Sequence, residues 1–398
     1  MFFRREMIDA LKKTSKFPVV GVFGPRQSGK TTLVKHTFPK HKYLNFEDLN
    51  LREFASENPS TFFSQYENEH GIIIDEFQHV PEILSYVQME SDAKDRPGYF
   101  VLTGSQNFLM NQAITQSLAG RIKILTLLPF SLCELEENHL LHGNVDKAIF
   151  SGGYPRLYAK NIDPADLFPS YIQSYVERDV RQIINVQNLS TFQKFIQLCA
   201  GRVGQILNIA ALSNDCGVSQ STTKQWLSLL EASYVIFLLK PYHSNFNKRV
   251  TKSPKLFFFD TGLACSLLKI RSSSEISLSP HRGHLFECLI ISDIIKQYFN
   301  SGMPSPTYFW RDLNGRVEVD CLVDLGTKLV PIEIKSGSAV SKNYFENLKR
   351  WYSVAQDKTE KGYVVYSGEI GHRYEYGELL GWHAAGKLTL ALDMAAHP

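Results

Sequence analysis

The 398-residue sequence lacks several features that would mark a secreted or membrane protein. Its six cysteines stand singly, with no Cys-x-x-Cys pair, which predicts free thiols in a reducing cytoplasm. No apolar run approaches the ~18 residues of a membrane span, so we expect no membrane partner. Residues 1–16 mix basic and apolar side chains without the apolar core of a signal peptide, and we interpret them as an amphipathic helix. We therefore expect a cytoplasmic protein.

The chain also lacks an excess of charge of one sign. A formal net charge of +3 does not by itself indicate nucleic-acid binding, so any basic surface must be local. Hydrophobic residues make up 43% and charged residues 21% of the chain, a mix typical of globular proteins. At about 100–200 residues per domain, the length predicts two to four domains.

The spacing of apolar segments changes along the chain. Short apolar runs separated by helical stretches fill the first 130 residues, which predicts a parallel sheet covered by helices on both faces. The predicted strands are Val19–Phe23, Tyr43–Phe46, Ile72–Ile74, Tyr99–Leu102 and Ile122–Leu128. Residues 131–200 turn mainly helical, and residues 201–270 combine helices with short aromatic strands. A Ser-rich linker at Arg271–Ser279 then precedes a separate α/β block at 280–398.

A glycine-rich motif follows the first predicted strand and fits G-x-x-x-x-G-K-[ST] at every fixed position. Its residues are Gly24, Pro25, Arg26, Gln27, Ser28, Gly29, Lys30 and Thr31, with Thr32 directly after them. The glycines let backbone N–H groups wrap phosphates, and the dipole of the following helix favours negative charge. Lys30 would neutralise the β- and γ-phosphates, and the Thr31 hydroxyl would ligate magnesium. The motif predicts binding of ATP with Mg²⁺.

Two acids, Asp75 and Glu76, follow a strand of three isoleucines. Ligands of open α/β sheets lie at the carboxyl ends of the strands. We therefore expect Asp75 to hold magnesium and Glu76 to polarise the attacking water. At the polar end of the next strand, Ser105, or else Gln106, is a candidate sensor of the γ-phosphate, and a strand-capping turn is the alternative. Together the pattern predicts ATP hydrolysis.

These three elements, in this order, resemble the AAA+ branch of P-loop ATPases. The chain is similar over nearly its whole length to a family of bacterial and archaeal ATPases that couple an AAA-type module to an uncharacterised C-terminal domain. Five further segments carry this resemblance: Leu118–Arg121, Gly152–Pro155, Tyr175–Asp179, Phe259–Leu263 and Glu318–Asp320.

The resemblance implies a homo-oligomer, often a hexameric ring, with the nucleotide between subunits. Such a ring needs an arginine that reaches the γ-phosphate of a neighbour. Arg121, between a predicted helix and the strand Ile122–Leu128, is our candidate, with Arg156 and Arg178 as alternatives. An ordinary surface ion pair is the competing interpretation.

Residues 209–227 are typical of a helix, a tight turn and a second helix, and two short strands at Tyr234–Leu239 and Leu256–Phe259 complete a winged-helix pattern. Polar residues suited to phosphates and base edges mark the open face of the second helix: Ser219, Gln220, Thr222, Thr223 and Lys224. The loop between the strands is basic: His243, Asn245, Asn247, Lys248, Arg249, Lys252 and Lys255. We expect contact with DNA here, and packing between subunits is the alternative.

In the last block, Asp320 lies on one predicted strand, and Glu333 and Lys335 lie on the next. With Glu287 on the preceding helix, this arrangement resembles the PD-(D/E)xK nuclease fold, although Val319 replaces the leading proline. The resemblance implies that Asp320 and Glu333 bind a metal, that Lys335 holds or activates water, and that Glu287 supports them. Glu333 and Lys335 share one face because alternate strand residues point the same way.

These patterns predict four regions: an AAA+ ATPase domain at 1–130, a helical connector at 131–200, a winged helix at 201–270 and a nuclease-like domain at 280–398. The favoured function is a ring ATPase that remodels or translocates DNA. The alternatives are an ATP-gated DNA nuclease, and a signalling or assembly ATPase without nucleic acid.

Overall fold

The computed structural model describes most of the chain: residues 2–14, 16–94, 96–105, 114, 117–175, 189–242, 252–312, 314–388 and 392. The chain separates into two compact units. The first unit comprises residues 1–129, 232–234 and 299–303, and the second comprises residues 130–231, 235–298 and 304–398. None of the helices in the described ranges is long and apolar enough to cross a membrane.

The first unit is built on a five-stranded parallel sheet. Its strands are β1 (Val19–Gly24), β2 (Lys42–Asn45), β3 (Ile72–Asp75), β4 (Phe100–Ser105) and β5 (Ile122–Thr126). They lie in the order β2-β3-β4-β1-β5, and every neighbouring pair is parallel. The sheet confirms the predicted α/β class and brings the carboxyl ends of β1, β3 and β4 side by side.

Both faces of this sheet are covered, which explains its unbroken apolar runs. Along β3, Ile72 and Ile74 enter one buried cluster and Ile73 enters another. The described helices of the unit are α1 (Met7–Thr14), α2 (Lys30–Thr37), α3 (Leu49–Glu57), α4 (Pro59–Gln65) and α5 (Ile83–Lys94), with a 3₁₀ turn at Phe77–His79. The observed strands start or end within three residues of the predicted ones.

The second unit begins with helices. They are α6 (Leu132–Glu137), α7 (Val145–Ser151), α8 (Pro155–Lys160), α9 (Pro164–Tyr175) and α10 (Leu189–Ala200). A Ser131 capping box starts α6, with the Ser131 hydroxyl accepting from the Glu134 N–H and the Glu134 carboxylate accepting from the Ser131 N–H. Of the segment Tyr175–Asp179, which carries part of the resemblance, only the first residue is described, so the candidate Arg178 lies outside the described residues.

The predicted helix-turn-helix lies at α11 (Ile209–Cys216) and α12 (Gln220–Ala232). Gly217 ends α11 with a φ of 80°, a conformation that favours glycine. The strands β6 (Ile236–Leu239) and β7 (Lys255–Phe258) follow and pair antiparallel. One polar residue was misplaced by the prediction: Thr223 is fully buried, and its hydroxyl lies 2.9 Å from that of Ser213. The two hydroxyls satisfy each other where the helices cross, so Thr223 is not on the open face.

The Ser-rich segment Arg271–Ser279 is not a plain linker, contrary to the prediction. It contains the short helix α14 (Ser273–Ile276), which follows α13 (Thr261–Leu267). Ile276 is fully buried, and the Glu275 carboxylate accepts from the Arg271 N–H and the Ser272 hydroxyl. Burial of one apolar side chain outweighs the local preference of serines for irregular structure.

A separate six-stranded mixed sheet forms the C-terminal part of the second unit. The helix α15 (Arg282–Asn300) precedes it, and α16 (Glu346–Ala355) packs on it. The strands are β8 (Thr307–Arg311), β9 (Glu318–Asp324), β10 (Leu329–Lys335), β11 (Gly362–Tyr366), β12 (His372–Tyr374) and β13 (Gly377–Gly381). Their order is β12-β13-β11-β10-β9-β8, with β8, β9 and β10 antiparallel and β11 parallel to β10. Trp310 and Trp351 pack edge to face between sheet and helix.

Candidate functional site

The glycine-rich motif forms a loop between β1 and the N-terminus of α2. Gly24 ends β1 with a φ of 151°, and a Cβ there would overlap the carbonyl oxygen of Leu127, so only glycine fits. Lys30 begins α2 and is 6% exposed. Its Nζ donates to the carbonyl oxygens of Gly24 at 3.0 Å and Pro25 at 2.8 Å. The ammonium group therefore lies over the loop, where a phosphate chain would be bound.

Asp75 lies at the end of β3, beside this loop. Its Oδ2 accepts from the Thr31 hydroxyl at 2.8 Å and from the Tyr43 hydroxyl at 2.7 Å, while Oδ1 accepts from the Thr103 hydroxyl. Three hydroxyl donors fix the position of this buried carboxylate beside Thr31. A hydroxyl and a carboxylate are ligands that Mg²⁺ prefers, so Thr31 and Asp75 fit the ion that the motif implies.

Glu76 adopts a left-handed backbone conformation, with φ 55° and ψ 40°. This conformation is uncommon outside glycine and is found disproportionately at functional sites. It turns the chain at the end of the strand, and the Gln78 side-chain amide donates to the Glu76 carboxylate. Burial raises the pKa of Glu76, whereas the charge of Lys30 and the Gln78 hydrogen bond act in the opposite direction.

The base of the loop is fixed by Arg5, which sequence reasoning missed. Its guanidinium donates to the carbonyl oxygens of Ser28 at 2.8 Å and Leu128 at 2.7 Å, and the side chain is buried. The Ser28 hydroxyl is also buried and has no hydrogen-bond partner among the described residues. A buried hydroxyl without a partner is costly, and a phosphate oxygen in the loop would satisfy it.

A second cluster of charged residues lies on the C-terminal sheet. The register pairs Ile332 with Cys321, so Glu333 and Asp320 are neighbours across β9 and β10. Lys335 and Glu333 form an ion pair, and the Asn347 amide donates to Glu333 Oε1 at 2.8 Å. Asp320 Oδ2 accepts from the N–H of Ile334 at 2.9 Å. The structure thus brings together three of the four residues that the nuclease-like pattern singled out: Asp320, Glu333 and Lys335.

The other carboxylate oxygen of this pair fits a metal ligand. Glu333 is 1% exposed, and its Oε2 is buried without a hydrogen-bond partner among the described residues. Burial raises the pKa of Glu333 to about 8, and the nearby Asp320 charge adds to the shift. Burial likewise raises the pKa of Asp320. A divalent cation would give this buried carboxylate oxygen a positively charged partner.

Lys255 was predicted to lie in a basic DNA-binding loop, and this prediction is wrong. It is the first residue of β7 and is 4% exposed. Its Nζ lies 3.0 Å from Glu287 Oε1 and 2.7 Å from Glu318 Oε1. A buried ammonium needs such partners, and the antiparallel pairing of β6 and β7 carries Lys255 into the unit's interior. The rest of the predicted loop, apart from Lys252, lies outside the described residues.

Three successive segments of the chain match three different families of known proteins. Residues 16–136 match a family described as an AAA domain. Residues 143–274 match a domain of unknown function (DUF8612), and residues 282–384 match another (DUF4143). The parallel sheet with its P-loop and terminal acids lies in the first matched segment. Residues 16–136 thus combine a match to an AAA domain with the AAA+ P-loop α/β fold, and we refer to them as the AAA+ domain.

The chain is also similar to uncharacterized proteins and to solved structures of ATPases. Uncharacterized proteins of Mycobacterium tuberculosis and Mycobacterium bovis are each 27% identical over 341 residues, which cover 85% of this chain and 75% of the relative. Among solved structures, a Walker-type ATPase of Pyrococcus abyssi is 15% identical with a TM-score of 0.42, covering 67% of this chain and 96% of that one. The Holliday junction branch migration motor RuvB of Thermotoga maritima is 17% identical with a TM-score of 0.31, covering 59% and 90%.

Other predicted residues of the AAA+ domain have varied surroundings. Arg26 is partly buried, whereas Gln27 and Thr32 are exposed. Ser105 ends β4 opposite Gly24 in the strand register, which places its backbone beside the P-loop. The alternative sensor Gln106 lies outside the described residues. Arg121 is paired with Asp92, its Nε 2.6 Å from Oδ1 and its Nη2 2.9 Å from Oδ2.

Tyr43 and Thr103 of the AAA+ domain were also missed by sequence reasoning. The register pairs Asp75 directly with Thr103 on β4, and Tyr43 lies on β2 on the other side of β3. A parallel alignment of the three predicted strands by their carboxyl ends would have indicated Thr103. Nothing in the local pattern around Tyr43 distinguishes it from an ordinary strand tyrosine.

Two family segments outside the AAA+ domain meet in the second unit. Asp260 Oδ2 accepts from the Gly153 N–H at 2.7 Å, and Oδ1 accepts from the Leu263 N–H at 3.0 Å. Asp260 is therefore both the N-cap of α13 and an anchor for the turn before α8. A Cβ on Gly152 would overlap the Asp260 carboxylate. These contacts give the segments Gly152–Pro155 and Phe259–Leu263 a structural role.

Proposed function

We propose that this protein hydrolyses ATP with magnesium in its AAA+ domain and uses the turnover to remodel DNA or move along it. The observation that carries the ATPase part is the 2.8 Å hydrogen bond from Thr31 to Asp75, with Glu76 next in the chain. These are the parts that phosphoryl transfer needs, because it depends on positioning and charge stabilisation.

The roles of the side chains follow from their places. The loop from Gly24 to Gly29 would hold the phosphates with backbone N–H groups, and Lys30 would neutralise the β- and γ-phosphates. Thr31 and Asp75 would hold Mg²⁺, which shields the negative charge of the phosphates when bound. Glu76 would orient and polarise the attacking water. Ser105 is proposed to sense the γ-phosphate from the end of β4.

We further propose a homo-oligomeric ring, hexameric by the resemblance, in which Arg121 reaches the γ-phosphate held by a neighbour. Arg121 is exposed enough to do so, but its guanidinium is already paired with Asp92. Solvent screens an exposed ion pair of this kind, so it costs little to open. Arg121 would therefore exchange the Asp92 carboxylate for phosphate on assembly.

The helix-turn-helix supports the DNA part of the proposal. Ser219, Gln220 and Lys224 are exposed around the start of α12. The Ser219 hydroxyl accepts from the Thr222 N–H at 3.1 Å, which caps the helix and leaves its N-terminal turn facing outward. A second helix with exposed polar residues in its first turns is the part that enters a major groove in this motif.

The test measures ATP turnover with and without linear, circular and branched DNA, together with DNA affinity at several salt concentrations. The proposal expects stimulation by at least one DNA form and an affinity that falls steeply with salt. Lys224→Glu should weaken binding, whereas Lys147→Glu, an exposed lysine on α7, should not. If DNA does not change the rate of ATP turnover and no salt-sensitive DNA binding is found, a signalling or assembly ATPase is favoured instead.

A second candidate function is metal-dependent DNA cleavage at the C-terminal cluster. The orphaned Oε2 of Glu333, next to Asp320 and Lys335, favours it. Asp320 and Glu333 would hold the cation, and Lys335 would hold water or the scissile phosphate. Wild-type protein and Lys335→Ala would be incubated with the same DNA forms and Mg²⁺. Products from the wild type alone support cleavage, and equal products or none from either contradict it.

A further inference from the structure

Lys255 places a second ammonium group in the C-terminal acidic cluster. It comes from the strand pair that follows the helix-turn-helix, not from the C-terminal sheet. Its ion pairs with Glu287 on α15 and Glu318 on β9, at 3.0 and 2.7 Å, are shielded from solvent because the lysine is 4% exposed. The Lys255 ammonium lies between two carboxylates, where it balances their negative charge as a bound metal ion would.

The ion pairs of this cluster fall into two sets, although the charge of Glu287 also acts on Asp320. Glu287 and Glu318 contact Lys255, whereas Glu333 contacts Lys335 and keeps one buried oxygen without a partner. In the described parts of the chain, the oxygens of Glu287, Asp320 and Glu333 do not form one group within 4.8 Å. Glu287 is thus bound up with Lys255 and does not complete a three-carboxylate site with the other two.

We propose that the cluster takes a single divalent cation, at Asp320 and Glu333, and that Lys255 permanently takes the place of a second cation at Glu287 and Glu318. This inference rests on the second candidate function above, and it adds a specific role for a residue outside the C-terminal sheet. The ligand class is a hard divalent cation such as Mg²⁺ or Mn²⁺, because the donors are carboxylate oxygens.

The charges support one ion. Four carboxylates, those of Glu287, Glu318, Asp320 and Glu333, face two lysines, and Arg311 Nε lies 3.4 Å from Glu318 Oε2. With Glu333 ionised, as it must be to bind a cation, one negative charge is left without a cationic side chain. A first divalent cation more than balances it, so a second would meet a net positive site and be repelled. Removing the charge of Lys255 would free Glu287 and Glu318 for a second ion.

The experiment counts Mn²⁺ bound to the whole 398-residue chain without nucleotide, from the electron paramagnetic resonance of free Mn²⁺. All proteins carry Thr31→Ala so that the P-loop does not contribute an ion. The unmodified cluster should bind one Mn²⁺. Lys255→Gln should bind two, with the first ion held about tenfold more tightly or better because a nearby positive charge is gone. Lys255→Arg, which keeps the charge, should bind one.

Lys252→Gln is the matched control, since Lys252 is exposed three residues earlier in the chain, and it should bind one ion. If Lys255→Gln folds, as shown by an unchanged circular dichroism spectrum, but still binds a single Mn²⁺ with unchanged affinity, the role given to Lys255 is wrong. If Glu333→Gln binds as much Mn²⁺ as the parent, the proposed metal site itself is wrong, which is a separate failure.

A second variant keeps the inference testable if Lys255→Gln does not fold. Glu287→Gln removes a partner of Lys255 and not a ligand of the bound cation, so this protein should still bind one Mn²⁺. Loss of the ion from Glu287→Gln would place the metal at Glu287 and overturn the division of the cluster.

Discussion

The P-loop site and the C-terminal cluster contain similar residues but treat their lysines differently. The Lys30 ammonium donates to two backbone carbonyls, and the nearby carboxylate of Asp75 is held by hydroxyl groups. In the C-terminal cluster, Lys335 and Lys255 are each in ion pairs with carboxylates. The two carbonyls hold the Lys30 ammonium over the loop where a phosphate would bind, whereas ion pairs hold the other two lysines against carboxylates.

This difference teaches that a lysine beside two acids is not enough to define a phosphate site. What differs is where the fold holds the lysine. The P-loop curves its backbone so that the carbonyls of Gly24 and Pro25 accept from Lys30. In the C-terminal sheet, strand geometry places Glu333 and Lys335 on the same face, where they form an ion pair.

The largest expected effect is on ATP turnover. Glu76→Gln keeps the shape of the side chain but removes the group that polarises water, so turnover should fall by about 10²–10⁴-fold while nucleotide is retained. Steady-state phosphate release and retention of labelled ATP measure the two quantities. The control is Glu82→Gln, which changes an exposed acid six residues later in the chain and should leave ATP turnover normal. Normal turnover in Glu76→Gln would remove Glu76 from the catalytic role.

A carboxylate with a purely structural role should affect stability instead. Asp260→Ala removes a buried helix cap and leaves the Gly153 N–H without an acceptor, which should lower the free energy of unfolding by on the order of 3 kcal/mol. Urea denaturation measures it. Asp163→Ala removes an exposed turn acceptor for Ala165 and should cost less than about 1 kcal/mol. Equal costs for the two variants would contradict the anchoring role of Asp260.

The contribution of the Lys30 ammonium to ATP binding can be tested directly. Lys30→Met should weaken ATP binding by about 10- to 150-fold, as expected for loss of one charge-assisted hydrogen-bonding group. Equilibrium binding of a fluorescent ATP analogue measures it, and Lys40→Met, an exposed lysine just after α2, serves as the control. An unchanged affinity in Lys30→Met would mean that its ammonium does not reach the phosphates.

The smallest effect concerns pH and the C-terminal cluster. Burial raises the pKa of Glu333 to about 8, so the folded protein holds a proton that the unfolded chain releases above about pH 4.5. Folding therefore binds protons between pH 5 and 8, and the free energy of unfolding should fall as pH rises through this window. Chemical denaturation in EDTA at several pH values measures the slope, which Glu333→Gln should reduce. A slope that the variant leaves unchanged would place the titration elsewhere.

Much of the nucleotide site follows from short-range sequence features. The alternation between Ile72, Ile73 and Ile74, the acids after them and the glycine spacing of the P-loop act within a few residues, and the structure contains the expected strand, turn and helix. The two helices of the helix-turn-helix and the two strands that carry Asp320, Glu333 and Lys335 were likewise predicted, because periodicity and capping are local properties.

Contacts between distant segments were decided only by the tertiary structure. Lys255 and Glu287 are 32 positions apart, and Gly153 and Asp260 are 107 apart, so no local pattern pairs them. Lys255 looked like part of a basic loop because its sequence neighbours are basic, but the β6–β7 register buries it. The sequence by itself determined which segments form strands, helices and a phosphate loop, since those depend on backbone and side-chain preferences over a few residues. The folded structure decided which charges meet, because burial makes an unpaired charge too costly and so selects partners that the chain order does not reveal.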